Sequence, residues 1–355
     1  MSYIILFSVL LSYMIGWTNE GVDVHGLNES QARQVLQFYA HRVRGLEMSL
    51  MKETVNIHLG KSHPKRYQQL IAQKKHLLSA IKRRGHFAFV DVQTVYYPKN
   101  NAIYTTIEII PSPNSSRMRF LSDAAPENGD KKQHDLIEHM RRYTSLSMQL
   151  LLTHQLDVTD DECPFYHCVV PFHHPQLQPY LALFRRGVLE KKPTILNVLA
   201  HDPDPARRAA AAFLVGFFSS SHEIVAVLSA HVTDPDREVR NSVLRVLAAT
   251  MEKAHCTTVD PEPYLALLDS PYGTDRNKAL LILHTLADSE SGKKVILQKG
   301  GHLLVQLLHL TQPNNHDLAY LILKKISQEQ FGAQQVAQWT AWVSQHQEKW
   351  HETTA

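Results

Sequence analysis

The stretch "HVTDPDREVRNSVLRVLAAT", residues 231–250, decides how the C-terminal half of the chain is interpreted. Five charged side chains are crowded into seven positions of this stretch: Asp234, Asp236, Arg237, Glu238 and Arg240. Paired acids next to an arginine are typical of catalytic sites. They are also typical of the turns that begin the helices of a structural repeat.

The stretch is repeated 32 residues earlier, in "AHDPDPARRAAAAFLVGFF" at residues 200–218. Asp202-Pro203-Asp204 aligns with Asp234-Pro235-Asp236, and Arg208 aligns with Arg240. The pattern continues in residues 267–287 and 307–327 at wider spacings of 36 and 40 residues. Self-similarity of this period predicts a degenerate helical repeat.

The chemistry of the stretch suits the start of a helix. We expect Asp234 to cap free backbone amides and Pro235 to lie in the first turn, where it removes no hydrogen bond. Asp236 would then lie near the positive end of the helix dipole. The apolar residues that follow share one helix face, which must be buried against neighbouring helices: Val239, Val243, Val246 and Leu247. Because this interpretation accounts for every charge, we prefer it to a catalytic role.

These residues also carry a resemblance to a known family. Residues 234–249, "DPDREVRNSVLRVLAA", are similar to the HEAT-repeat signature, and residues 279–308 look like the related armadillo repeat. The resemblance covers residues 176–345 and implies a right-handed α-solenoid of about four to five repeats. It also implies that Arg240 bonds an acid at the turn of an adjacent repeat, with Asp202 or Asp204 as its partner. The armadillo likeness implies that Gly300-Gly301 precedes the last long helix of its repeat.

The N-terminal half predicts a small α+β domain over residues 22–170, because its helices and strands are segregated along the chain. Helical spacing and end signals predict a helical hairpin over residues 28–84. A two-residue period of β-branched and aromatic side chains then predicts a β-hairpin over residues 86–110. A further helix is predicted over residues 131–154. The segment "YHCVV", residues 166–170, is the candidate for a third strand.

The first residues predict export. Residues 3–17 are apolar and uncharged, and the first basic residue is Arg33. Such a run is short for a membrane span and typical of a signal-peptide core. Residues 1–20 are therefore a predicted signal peptide or N-terminal anchor, and the protein is predicted to be periplasmic or secreted. Together with the repeats, this leader resembles exported bacterial HEAT-repeat proteins.

Two of the three cysteines are close together in "DECPFYHCVVPFHHP", residues 161–175. In an exported protein, a Cys163–Cys168 disulfide is the natural interpretation. The alternative is a metal site built from these cysteines with His167, His173 and His174. That spacing does not match a standard zinc motif.

A basic segment, residues 61–84, is a candidate binding site. No acid occurs between Glu53 and Asp91. The cations of this candidate site are Lys65, Arg66, Lys74, Lys75, Lys82, Arg83 and Arg84. They could bind a polyanion or an anionic membrane surface, or simply complement the helix dipole at the helix end. The net charge of +3 is too small to indicate a general affinity for polyanions.

No strong catalytic motif was found. The histidines of "HDLIEH", residues 134–139, are five positions apart and so about 140° apart on a helix, unlike those of HExxH. No cofactor and no sequence-specific nucleic acid is predicted. We predict an exported, non-catalytic binding protein, such as a secreted bacterial effector, whose concave solenoid surface holds a protein or peptide partner. The alternatives are polyanion binding by residues 61–84 and an enzyme with its site in the N-terminal domain or the inter-domain cleft.

Overall fold

The computed structural model describes residues 19–61, 64–97, 102–112, 115–121, 135–153, 155–156 and 162–353. Two compact units are present, and neither is a single continuous block of the chain. Unit 1 comprises residues 1–119, 148–160 and 310–312, and unit 2 comprises residues 120–147, 161–309 and 313–355. The division at residues 22–170 and 176–345 stays a prediction.

The elements are given in chain order. The strands are β1 (Asn19–His25), β2 (Phe87–Tyr97) and β3 (Ala102–Pro111), and a 3₁₀ helix covers Ser115–Phe120. The α-helices are α1 (Glu29–His58), α2 (Pro64–Gly85), α3 (Leu136–Leu152), α4 (Gln178–Glu190), α5 (Lys192–His201), α6 (Pro205–Val215), α7 (Ser221–Ser229), α8 (Arg237–Ala254), α9 (Glu262–Leu267), α10 (Gly273–Leu286), α11 (Glu290–Leu307), α12 (Pro313–Ser327) and α13 (Val336–Thr353).

Unit 1 contains a three-stranded sheet of order β1-β3-β2. Strands β2 and β3 form the predicted antiparallel hairpin, and β1 pairs parallel to β3. The prediction of a third strand in residues 166–170 was wrong, because that segment is irregular and the third strand is Asn19–His25. The predicted leader falls almost entirely on residues 1–18, which lie outside the described residues.

The helical hairpin of α1 and α2 covers one face of this sheet. Val43 of α1 and Ile81 of α2 are almost fully buried. They belong to one core with β2 and β3 side chains such as Val92 and Ile107. The apolar spacing along both helices therefore produces an α+β layer, as the sequence predicted.

Unit 2 contains the helical repeats. Helices α6, α8, α10 and α12 pack in sequence, each against the next. Each also packs against the helix that precedes it along the chain, as α7 does against α8 and α9 against α10. No helix of one repeat can bury its apolar face alone, so the stacking of neighbours creates the core. The structure thus confirms a run of consecutive helices in the C-terminal half that is consistent with a HEAT solenoid.

The expectation that Gly300-Gly301 precedes the last long helix of its repeat was wrong. Both glycines lie inside the continuous helix α11 and do not precede a new helix. A Cβ at Gly300 would lie 2.4 Å from Leu265 Cδ2, and one at Gly301 would lie 2.8 Å from Val343 Cγ1. The missing side chains therefore admit α9 and α13 close to α11, which explains two glycines in a helix interior.

Among the helices of the described residues, none combines the length and the apolar character needed to cross a membrane.

Candidate functional site

The arginines at the starts of helices α6 and α8, Arg208 and Arg240, each bond in two directions. Arg208 donates from Nε and Nη2 to the two carboxylate oxygens of Asp234, at 3.0 and 2.9 Å. Its Nη1 donates to the carbonyl oxygen of Asp202, at 2.9 Å. One guanidinium therefore joins the turn of its own repeat to the turn of the next. The hydrogen bond to Asp234 raises the pKa of Arg208.

Arg240 repeats this geometry one repeat later. Its Nη1 donates to the carbonyl oxygen of Asp234 at 2.8 Å, and its Nε and Nη2 lie 3.0 and 2.9 Å from Asp275 Oδ2. Both side chains of the Arg240–Asp275 pair are buried. The expectation that Arg240 binds Asp202 or Asp204 was wrong, because the contact runs forward to the next repeat and not backward.

Asp275 supplies the carboxylate that binds Arg240, because the aligned position of its own repeat has none. The residue aligned with Asp202 and Asp234 is Ser270, whose hydroxyl accepts a hydrogen bond from the Tyr272 amide. The Ser270 hydroxyl also donates to Asp275 Oδ2, at 2.7 Å. The carboxylate therefore lies five positions after the aligned residue. Alignment of the repeat starts alone does not reveal it.

The aspartates also organise the turns that begin the helices. Asp236 caps α8 by accepting hydrogen bonds from the amides of Glu238 and Val239, and Asp204 caps α6 in the same way at Ala206. Asp234 accepts from the amide of Asp236 and lies before the cap. The predicted roles of Asp234 as cap and Pro235 in the first turn were wrong by two residues, since α8 begins at Arg237.

The sequence pattern did not single out Arg207. Arg207 contacts Asp202 at 2.8 Å and Asp135, at the start of α3, at 2.6 Å. Burial disfavours the charged guanidinium, but the hydrogen bonds to Asp135 and Asp202 outweigh it and raise the pKa of Arg207. Its position directly before Arg208 is the signal that could have drawn attention to it. These contacts give the charges of the repeat starts structural partners.

The disulfide between Cys163 and Cys168 is present, which confirms that prediction. The alternative metal set is not brought together. His167 is buried and stacks on Phe213, whereas His173 is exposed and lies 3.6 Å from Glu162. Over the described part of the chain, no three His, Cys, Asp or Glu side chains are grouped so that they could hold a metal ion. His174 accepts a hydrogen bond from the Gln176 amide at 3.3 Å.

An aromatic cluster packs against residues 162–175 of unit 2, which contain the Cys163–Cys168 disulfide and are called the disulfide loop. Tyr143 of α3 is fully buried and donates its hydroxyl proton to the carbonyl oxygen of Val170, at 2.5 Å. Its ring stacks on Phe172 and packs edge-on against Phe184 of α4. Phe184 in turn packs against Phe217, after the end of α6. The loop is therefore supported by side chains of three separate segments.

A cavity of about 570 Å³ lies beside this loop. Val188, Leu189, Phe217 and Phe218 supply apolar lining, and Leu189 is 74% exposed. Two cations lie among the lining residues, Arg185 over the Phe165 ring and Lys253, which donates to the Phe165 carbonyl oxygen. No carboxylate is among the described residues that line the cavity. Apolar surface next to positive charge is suited to an acidic segment with a bulky apolar side chain.

The basic segment is helix α2, and its cations do not form one set. Lys74 is partly buried, with its ammonium 2.8 Å from Glu47 and 2.9 Å from the Val92 carbonyl oxygen. Arg66 lies 3.7 Å from Glu53, and the Arg84 guanidinium lies over the Phe38 ring. The remaining four cations are exposed and form no ion pair with any described residue: Lys65, Lys75, Lys82 and Arg83.

The alternative of an enzyme site in the N-terminal domain directs attention to a histidine and a carboxylate in the sheet of unit 1. His25 Nδ1 lies 2.9 Å from the fully buried carboxylate of Glu108. Burial raises the pKa of Asp23, two residues before His25. In the motif at residues 134–139, His134 lies outside the described residues. An acid and a histidine alone assign no reaction.

The comparisons with known proteins agree with the geometry of the repeats. The family model of HEAT repeats matches residues 193–291, which include helices α6 to α10. Residues 193–291 thus match HEAT repeats, within a C-terminal half that is made of consecutive helices. No curated protein and no solved structure matches the chain. HEAT repeats form helical scaffolds that often mediate protein interaction and are generally non-catalytic.

Proposed function

We propose that this protein, whose residues 193–291 match the family model of HEAT repeats, binds a protein or peptide partner on the surface of its repeats and performs no catalysis. The repeat charges support this role, because Arg208 and Arg240 are engaged in contacts between neighbouring turns. The cavity beside the disulfide loop offers such a partner an apolar lining next to two positive charges. A partner segment with a bulky apolar side chain next to an acidic one fits it best.

The observation that carries this proposal is the pairing of exposed apolar and positive surface at one place. Leu189 is an exposed leucine at the edge of an apolar cavity, and Arg185 forms no ion pair with any described residue. An arginine over an aromatic ring remains able to bind a carboxylate in two-point fashion. Selectivity for acidic over basic segments follows from the positive charge.

Selection from a displayed random peptide library tests the proposal. We expect enrichment of peptides with an acidic residue beside a bulky apolar one. Leu189→Asp and Arg185→Ala should each weaken binding of a selected peptide at least about tenfold. Arg186→Ala is the matched control, because this neighbouring arginine is exposed and paired with Glu190 instead. Absence of enrichment, or equal binding by all variants, would contradict the proposal.

We place the proposed function outside the cytoplasm, in the periplasm or the secreted fraction of a bacterium, where the protein would act as an effector. The apolar leader and the Cys163–Cys168 disulfide support this location, because disulfides persist in oxidising compartments. Thiol counting on the denatured protein from its native compartment should find only Cys256 reactive. Three free thiols would contradict the proposed location.

A second candidate function is polyanion binding by helix α2. Its support is the exposed face with Lys65, Lys75, Lys82 and Arg83. Retention on immobilised heparin should fall steeply with salt and be lost in a Lys75→Glu/Arg83→Glu variant. Reversal of Arg186 should leave retention unchanged. No retention of the native chain at low salt would eliminate this candidate.

A further inference from the structure

The Cys163–Cys168 disulfide is part of the wall of the cavity beside the disulfide loop. It joins two cysteines five positions apart and so closes a small ring of the chain. The residues of this ring that line the cavity are Cys163, Pro164, Phe165 and Tyr166. One side of the cavity is therefore built from a single short segment, whose two ends are joined by a bond that reduction can break.

Phe165 connects this segment to both cations of the cavity. The Arg185 guanidinium lies over the Phe165 ring, 5.6 Å from its centroid. The Lys253 ammonium donates a hydrogen bond to the Phe165 carbonyl oxygen, at 2.9 Å. The Phe165 ring also packs against Phe217, with 4.4 Å between the ring centroids. The position of Phe165 therefore affects both the apolar wall and the two positive charges beside it.

The backbone of residues 163–168, which we call the ring segment, has little support of its own. It forms no helix or strand. Among the described residues, no hydrogen bond between two backbone groups involves the ring segment. Its shape thus depends on side-chain contacts and on the disulfide. Loss of a covalent link increases the number of conformations that a segment can adopt, so the one that lines the cavity becomes less populated.

The disulfide is within reach of a small thiol. Both cysteines are half-buried, and Cys163 lines the cavity itself. We propose that Cys163–Cys168 is a reversible modification site that controls the cavity: a dithiol reduces it, the ring segment leaves its place, and partner binding is lost. This inference rests on the proposed function, because it assigns a control to the same cavity. A chain in the reducing cytoplasm would lack the binding site and would acquire it on oxidation.

The exchange balances with a dithiol as the only reactant. One thiolate of the dithiol attacks the Cys163 sulfur, and Cys168 leaves as a thiolate. The second thiol of the dithiol then attacks the mixed disulfide, and Cys163 leaves. Two electrons and two protons pass from the dithiol to the two cysteines, and the dithiol becomes a cyclic disulfide. Arg185 and Lys253 line the same cavity, so their charges favour the Cys163 thiolate.

Peptide binding in two redox states tests the control. The probe is a library-selected peptide with an acidic residue beside a bulky apolar one. Treatment of the native chain with dithiothreitol should weaken its binding at least about tenfold, and reoxidation should restore it. Cys163→Ser/Cys168→Ser should bind as weakly as the reduced chain and ignore the dithiol. Cys256→Ser is the matched control and should respond as the native chain does, because Cys256 is outside the disulfide.

Equal binding of the peptide by the oxidised and the reduced native chain would overturn the proposal. Limited proteolysis with chymotrypsin reads the ring segment without any peptide. In the reduced native chain, cleavage after Phe165 or Tyr166 should become at least about tenfold faster, while the helices of unit 2 stay uncut. Cys163→Ser/Cys168→Ser should be cut at the same sites without dithiol.

The two readouts separate this proposal from the proposed function. If the library yields no peptide but reduction exposes the ring segment to cleavage, the proposed function fails and the redox release of the cavity wall stands. Equal protection of the ring segment in both redox states overturns the proposal. Cleavage spread over the whole of unit 2 also overturns it, because reduction would then unfold the unit and not release one segment.

Discussion

At the scale of the residue, the chemistry of the repeats depends on the shape of the guanidinium group. Arg208 uses two nitrogens for the Asp234 carboxylate and a third for the carbonyl oxygen of Asp202. Lysine carries the same charge but cannot present this planar fork. The contact between neighbouring repeats therefore depends on the geometry of the guanidinium group and not on its charge alone.

Replacement of Arg208 by lysine tests this statement. We expect Arg208→Lys to lower the free energy of unfolding by about 1–2 kcal/mol, because the two-point contact with Asp234 is lost. Urea denaturation measures the change. Arg237→Lys serves as control, since Arg237 is 52% exposed and should tolerate the change within about 0.5 kcal/mol. Equal losses in both variants would show that the fork geometry is unimportant.

The buried His167 predicts a dependence of stability on pH. Its pKa is about 3 in the folded chain and about 6.5 in the unfolded chain. The unfolded state therefore binds more protons between these values, and stability is lost as the pH falls from about 6.5 toward 3. The contribution has a slope of up to about 1.4 kcal/mol per pH unit.

His167→Phe should remove this slope, because phenylalanine can stack on Phe213 and does not titrate. Urea denaturation at several pH values, in a buffer without phosphate or sulfate, measures it. His173→Phe is the control within the same loop, since His173 is exposed and should leave the slope unchanged. A His167→Phe variant with the native acid sensitivity would contradict the assigned pKa.

At the scale of the element, Tyr143 of α3 anchors the disulfide loop, and the sequence of the loop itself does not show this. The Tyr143 hydroxyl donates to the Val170 carbonyl oxygen and accepts from the Val170 amide. Tyr143→Phe leaves two buried backbone groups unpaired, and we expect a loss of about 1–3 kcal/mol in urea denaturation. Tyr180→Phe, in the same aromatic cluster, should cost less than about 1 kcal/mol. A loss from Tyr180→Phe as large as that from Tyr143→Phe would contradict this assignment.

The elements themselves were largely predictable, because their signals are local. Apolar spacing and end residues predicted the hairpin of α1 and α2, and alternation predicted β2 and β3. Two elements were mispredicted for non-local reasons. β1 is recognised only by its pairing with β3, and the Gly300-Gly301 pair is explained only by the approach of Leu265 and Val343.

At the scale of the whole molecule, the repeat family was predictable and the contacts between repeats were not. The echo of Asp202-Pro203-Asp204 at Asp234 indicated the repeat, and the HEAT match to residues 193–291 confirms the predicted family. The partner of Arg240 was mispredicted because repeats diverge, and a carboxylate can move from the aligned position to Asp275 without loss of the contact. The cavity combines residues distant in sequence, so no local pattern reveals it.

The central claim is that the charges of residues 231–250 hold neighbouring repeats together. A double-mutant cycle on Arg240→Met and Asp275→Asn, read by urea denaturation, tests it most directly. Each single change should cost about 3–5 kcal/mol, because it leaves one buried charge or polar group without its partner. The double variant should lose less than the sum of the two, by about 2 kcal/mol or more. Strictly additive losses, or variants with native stability, would contradict the account.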